Sequence, residues 1–216
     1  MQAQKWLPVM PGVRGRLSSS LCHRLAVGNP RVFVKNDFRE SPNTAVHILL
    51  DSSGSMTDSG LMLANAVCYA VGKALQGISG VNLGITAFPG ANRAKGGTTV
   101  APVLRHGEKL TARFPEIAYG MTPMAESLWW VMQQMCLLRE NRKIILIITD
   151  GEPDSIPTAQ ETFKQAQKKG FECYGLGIMC PSISTLLPHA SRVIEALPQL
   201  APALFELLEG ALRRNA

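Results

Sequence analysis

From Ala45 onward the apolar residues switch between two periods. Val46–Leu50 is an apolar run around His47 that ends in Asp51, the signature of a strand buried on both faces. Leu61, Ala64, Cys68, Val71, Leu75 and Ile78 then recur at helical spacing, with Asn65, Tyr69, Lys73 and Gln76 mostly opposite, until Gly77 and Gly80 break the helix. Val81–Phe88 reads as a second strand, stopped by Pro89 and Gly90. A Gly-rich basic loop over 89–98 leads to a short strand, Val100–Leu104, whose Pro102 places it at a sheet edge. A helix from Pro123 to about Glu140 turns Leu128, Val131, Met132, Met135 and Leu138 inward. Lys143–Thr149 is the strongest buried strand. Thr158–Lys169 is a helix closed by Gly170, Glu172–Ile178 and Ser191–Ala196 are strands, and Leu204, Leu207, Leu208 and Ala211 stripe a final helix. Strands alternating with helices require crossovers, hence an α/β fold with a mostly parallel sheet covered on both faces.

The first 44 residues break this rhythm. Leu17, Leu21 and Leu25 lie four apart before Gly28, and Arg31–Phe38 reads as extended. The expectation is an accessory helix and strand over 1–44, packed on a main domain over 45–216. Charge divides at the same place. Residues 1–44 carry seven Lys/Arg and two Asp/Glu, and 45–216 carry fifteen against fourteen, so +5 of the net +6 lies in the first segment. A near-neutral main body argues against a nucleic-acid surface across the fold. The length of 216 residues suits one full core. No apolar run approaches the ~18 residues of a membrane span, and the beginning of the chain does not read as a signal peptide. Five cysteines without a Cys-x-x-Cys pair give neither a disulfide framework nor a zinc knuckle, so a reducing cytoplasm is the expected location.

Parallel α/β sheets place their sites at the carboxyl ends of strands, and three segments meet that condition. Asp51-Ser52-Ser53-Gly54-Ser55 leaves the first strand; in an extended loop, Asp51, Ser53 and Ser55 would point to one side. Gly120-Met121-Thr122-Pro123 puts Thr122 just before a helix. Thr149-Asp150-Gly151 ends the strongest strand. Asp51, Ser53, Ser55, Thr122 and Asp150 offer two carboxylates and three hydroxyls, all hard oxygen. That donor set suits Mg²⁺, with Mn²⁺ or Ca²⁺ as alternatives, and disfavours zinc or copper. Five protein oxygens cannot all ligate an octahedral Mg²⁺ that keeps its waters, so a position stays exchangeable for an outside oxygen.

Asp51-x-Ser53-x-Ser55 with Thr122 and Asp150 resembles the metal-ion-dependent adhesion site (MIDAS) of von Willebrand factor A (VWA) domains. The resemblance implies a Rossmann-like, doubly wound sheet, mostly parallel with one antiparallel edge strand. It also implies a metal held by these five residues, whose open position takes an acidic residue of a partner protein. A narrower resemblance runs over Pro42–Asp51, Ala87–Gly90, Gly120–Trp130 and Ile148–Asp154, which look like the CobT-type A domain, the carboxy-terminal domain of a cobaltochelatase subunit. It implies a non-catalytic partner of a MoxR- or CobS-type AAA+ ATPase, or else a subunit of a chelatase that inserts cobalt or magnesium into a tetrapyrrole.

Blander readings cover single residues. Asp51 and Thr122 could be helix caps; Asp58, Glu152 and Asp154 read as loop carboxylates, with contact to groups around the metal as the alternative, and His47 as a satisfied core histidine. His23, His106 and His189 stand isolated, Cys173 and Cys180 read as small hydrophobes, and only one of Trp129 and Trp130 can face the core. Catalysis finds little support. Position 53 is Ser where a haloacid-dehalogenase-type phosphatase needs Asp, and there is no Gly-x-Ser-x-Gly elbow or P-loop. A metal-dependent phosphotransfer enzyme is the weakest alternative.

Overall fold

The computed structural model describes residues 3–6, 11–14, 16–34, 38–41, 43–90, 100–111 and 113–213. Two compact units divide the chain, Met1–Pro42 and Asn43–Ala216, a boundary two residues from the one read in the sequence. In the first unit β1 (Ala3–Trp6) precedes two short strands, β2 (Pro11–Gly12) and β3 (Arg16–Leu17). A 3₁₀ helix over Ser19–Val27 follows and is ended by Gly28 at φ 72°. It is the helix expected from Leu17, Leu21 and Leu25, but no residue in it is buried and Leu25 is exposed. β4 (Phe33–Val34) pairs antiparallel with β2 and β3, and β5 (Phe38–Ser41) with β1.

The second unit carries a six-stranded sheet built from β6 (Thr44–Asp51), β7 (Val81–Phe88), β8 (Ala101–Leu104), β9 (Arg142–Thr149), β10 (Phe171–Ile178) and β11 (Ser191–Ile194). Its order is β11-β10-β9-β6-β7-β8. Every pairing is parallel except β7–β8, so the Pro102 strand is the antiparallel edge. Between the strands run α1 (Thr57–Gln76), α2 (Met124–Cys136), α3 (Ile156–Lys168) and α4 (Ser182–Leu186), and α5 (Leu200–Arg213) follows β11.

Alternation along β6 sorts the core into two layers. Val46, Ile48 and Leu50 pack with Leu61, Ala64 and Cys68 of α1 and Leu204 and Leu208 of α5. Ala45 and Leu49 pack instead with Leu128 and Val131 of α2, Phe163 of α3 and Ile183 of α4. The doubly wound architecture expected of the sequence is therefore the one observed. Local departures have local causes. Pro123 precedes α2 rather than opening it, and α2 ends four residues short of Glu140. α3 starts at Ile156 because Ser155 accepts the Thr158 amide and Pro157 is tolerated in a first turn. α4, five residues long, gives too short a window for a helical period to register. Trp130 is half-buried against the α2 layer while Trp129 is 40% exposed.

Candidate metal centre

Asp51 is the last residue of β6, the central strand, and is completely buried. Beyond it the chain is pinned to its neighbours: Ser52 donates through both its amide (2.6 Å) and its hydroxyl (3.0 Å) to the Phe88 carbonyl. The residues after it are not extended as the sequence reading supposed. Ser53 is extended, but Gly54–Met56 forms a 3₁₀ turn, and this turn brings the Ser53 and Ser55 hydroxyls to 3.0 Å of each other. The second segment lies alongside, through Tyr119 N–H to Ser52 O (3.0 Å) and Gly54 N–H to Gly120 O (3.2 Å). Gly120, at φ 78°, makes the turn that presents Thr122.

Thr122 is not the helix cap; Pro123 occupies that position. Its backbone is instead clamped by Asp154, whose carboxylate Oδ1 accepts the Thr122 amide (2.8 Å) and whose amide donates to the Thr122 carbonyl (3.0 Å). The third segment, after β9, brings Asp150, whose Oδ1 accepts from the Ser55 hydroxyl at 2.7 Å. Gly151 locates the point where the donors meet. A Cβ on Gly151 would lie 3.1 Å from Ser55 Oγ, 3.2 Å from Thr122 Oγ1 and 3.8 Å from Ser53 Oγ. Three hydroxyls from two separate segments thus border one small space, with Asp150 bonded to Ser55 beside it.

Asp51 is held from below. Its Oδ1 accepts the Ser53 amide (2.8 Å) and its Oδ2 the Thr149 hydroxyl (2.5 Å). Thr149 has one hydroxyl proton; with that proton on Asp51, its oxygen is free to accept the Gly151 amide at 3.1 Å. Burial raises the Asp51 carboxyl to about 6, more than the bonds from Thr149 and Ser53 lower it, and the Asp150 charge pushes the same way. Desolvation raises Asp150 as well, against its bond from Ser55. Among the described residues no Lys or Arg pairs with either carboxylate.

These residues fit a hard divalent cation. The two carboxylates are desolvated without a countercharge among the described residues, and the space over Gly151 is bordered by hydroxyl oxygens. No group of three or more His, Cys, Asp or Glu gathers among the described residues, so a cation here depends on Ser and Thr oxygens. Asp51, Ser53, Ser55, Thr122 and Asp150 are the residues that could hold it.

The sequence profile of the von Willebrand factor type A domain matches residues 45–203. The chain belongs to this family. No curated protein matches it at a significant level. Among solved structures, proximal thread matrix protein 1 of the mussel byssus, with a zinc-occupied MIDAS motif, is 11% identical at a TM-score of 0.64, covering 80% of this chain and 46% of its own. Manganese-loaded TRAP of Plasmodium vivax is 12% identical at a TM-score of 0.58, covering 77% and 73%. The VWA domain of SpRpn10 is 10% identical at a TM-score of 0.60, covering 76% and 94%. This chain spans about half of the mussel protein and 30% of the pilus adhesin SpaC of Lactobacillus rhamnosus GG, which it also resembles. Likeness at these identities establishes a shared VWA fold.

Three contributors to the centre carried a weaker signal or none in the sequence. Thr149 orients Asp51, Gly151 leaves space for the hydroxyls, and Asp154 fixes Thr122 across 32 residues. Asp58 is not a loop carboxylate but stands in the first turn of α1, accepting the Ala118 amide at 3.0 Å. His106 is not isolated. Its Nε2 lies 3.0 Å from Nδ1 of His47, whose Nε2 meets the Thr86 hydroxyl at 2.9 Å. Gly84 makes room for both rings, since a Cβ there would come within 2.6 Å of each. The basic loop with Arg93 and Lys95 lies outside the described residues.

Proposed function

We propose that this VWA domain is a metal-dependent protein-binding module whose Mg²⁺, or Mn²⁺ or Ca²⁺ in its place, is held by Asp51, Ser53, Ser55, Thr122 and Asp150. The observation that carries the reading is the meeting of three hydroxyls over Gly151 beside two carboxylates that burial leaves without a countercharge. Two carboxylates neutralise one divalent cation and the hydroxyls add no charge, so the metal keeps enough Lewis acidity to prefer an anionic oxygen over water. A partner supplies it as an Asp or Glu side chain.

The segments resembling CobT-type A domains favour one class of partner, an AAA+ ATPase of the MoxR or CobS kind or a client of such a machine. A subunit of a tetrapyrrole chelatase would use the same site. The module is non-catalytic in this reading, as the resemblance to VWA adhesion sites implies. The free thiols of Cys22, Cys68, Cys136, Cys173 and Cys180 support a cytoplasmic location. The test is a pull-down with a MoxR- or CobS-type AAA+ ATPase, with Mg²⁺ and with EDTA, repeated with Ser53→Ala and Ser55→Ala. Recovery only by the wild type with Mg²⁺ supports the reading, and equal recovery in every arm refutes it.

A further inference from the structure

A cavity of about 560 Å³ opens on the outer side of α1, lined by Met62, Asn65, Ala66, Tyr69, Phe114 and Pro115 with Glu116 at its rim. It is connected to the metal centre by a continuous run of backbone. Residues 115–122 lie along residues 52–65 through four bonds: Gly54 N–H to Gly120 O, Tyr119 N–H to Ser52 O, Ala118 N–H to Asp58, and Asn65 to Pro115 O. One end of this run presents Thr122 to the centre, and the other forms a wall of the cavity. Along it three large apolar side chains stand in water, Met121 at 60%, Ile117 at 64% and Met62 at 67% exposure. Isolated exposed apolar residues are ordinary, but three that trace one path from a cation site to an apolar cavity form an interaction surface.

The cavity wall also carries an unmet hydrogen bond. Asn65 Nδ2 donates to the Pro115 carbonyl at 2.6 Å, which fixes the orientation of the amide. Its Oδ1 is then buried with no donor. A buried acceptor without a partner is costly, and this one marks the wall where α1 meets the 114–116 segment.

We propose that this cavity seats an apolar side chain of the partner whose acidic residue reaches the metal, so that the ligand is an extended acidic–apolar peptide segment lying along Met121, Ile117 and Met62. The proposal rests on the metal-dependent reading of the centre. Spacing follows from the helix. Asp58 and Asn65 are seven residues apart in α1, about 10 Å along its axis. Ser55, the proposed donor nearest to α1 in the chain, precedes the helix, so at about 3.3 Å per residue the acidic and apolar residues of an extended ligand stand three or more positions apart.

The test is selection of phage-displayed random 12-residue peptides on the full chain in Mn²⁺, with the selected peptides synthesised and their affinities measured against variants. Ala66→Trp fills the cavity from an exposed helix position, and Met62→Lys places a charge on the track. Both are expected to weaken metal-dependent peptides tenfold or more while Mn²⁺ affinity, followed by calorimetry, stays within twofold. Selected peptides should carry Asp or Glu followed or preceded by a large apolar residue at that spacing. Metal-dependent peptides that bind both variants as they bind the wild type would overturn the cavity and leave the metal reading standing. Peptides weakened by Ala66→Trp but indifferent to EDTA would overturn the joint ligand and count against the metal reading itself.

Discussion

His47 and Asp51 lie four residues apart on the same strand and the same face of the sheet, and both are buried. Burial treats them alike and leaves them in opposite conditions. Desolvation drives the His47 ring toward its neutral form, with the neighbouring His106 acting in the same direction. Neutral imidazole has one donor and one acceptor, and Thr86 and His106 engage both nitrogens of His47, so that ring needs no charge partner. Asp51 is pushed up only to about 6. At neutral pH it is a buried anion, hydrogen-bonded but with no cationic partner among the described residues, beside a second carboxylate and three hydroxyls that add no positive charge. The first cluster is neutral and leaves only His106 Nδ1 without a partner, whereas the second is hydrogen-bonded but does not balance its charge among the described residues. That imbalance is what separates a site awaiting a cation from a polar element of the core.

The largest effect expected from this contrast is on metal affinity. Asp150→Ala removes one of two anionic donors at the sheet edge, and should weaken Mg²⁺ binding by 100-fold or more, roughly 3 kcal/mol, with the far-UV circular dichroism unchanged. The matching change in the other cluster, His106→Ala, should leave Mg²⁺ affinity within twofold. Loss of metal binding in both variants would show that the two clusters are not independent.

Proton linkage gives the next effect, and the two clusters pull in opposite directions. The folded-state shift of Asp51 from 3.8 to about 6 means that its contribution to stability is present below pH 4 and lost as pH rises through 6. The lowered values of His47 and His106 act the other way, their contribution being present above the ordinary histidine range near 6.5 and lost as pH falls. Asp51→Asn isolates the first. In EDTA it should exceed the wild type in stability by up to about 3 kcal/mol at pH 8, a difference that closes toward pH 4. Urea denaturation at pH 4, 6 and 8 measures it, and a constant difference would mean that Asp51 is not desolvated in the metal-free protein.

Smaller again is the cost of breaking the histidine cluster. His106→Ala strands the His47 Nδ1 without a partner and should lower stability by about 1–3 kcal/mol. The least effect falls on positioning. Asp154→Ala frees the Thr122 amide and should weaken Mg²⁺ binding a few-fold, while Asp154→Asn, which keeps the accepting oxygen, should restore most of it. Equal weakening in both would locate the role of Asp154 in its charge rather than in its clamp.

What was legible in the sequence depended on distance along the chain. β6, β7 and β9 announced themselves as apolar runs, and β7 spans the residues read for it, Val81–Phe88. The five proposed donors could be named from the sequence because Asp51, Ser53 and Ser55 fall at alternate positions of one short segment and the other two follow strand or turn signals. The contacts that make those donors a site could not. Thr149 meets Asp51 across 98 residues and Asp154 meets Thr122 across 32, with no local pattern marking either pair. His106 looked isolated because its partner is 59 residues away and the glycine that admits both rings carries no chemistry of its own. The turn at Gly54–Met56 replaced the extended loop for a related reason: the hydrogen bond to Gly120, not the local sequence, sets its path.

The central claim is that the cluster at the carboxyl ends of β6 and β9 binds a divalent cation. Calorimetric titration of the full chain with Mg²⁺ at pH 7.5 and pH 5, with Ser53→Ala and Ser55→Ala as controls, tests it most directly. The account predicts saturable binding of one ion at pH 7.5, weaker binding at pH 5 where Asp51 holds its proton, and a loss of at least tenfold in each variant. Absence of saturable binding at pH 7.5, or affinity unchanged by both substitutions, would contradict it.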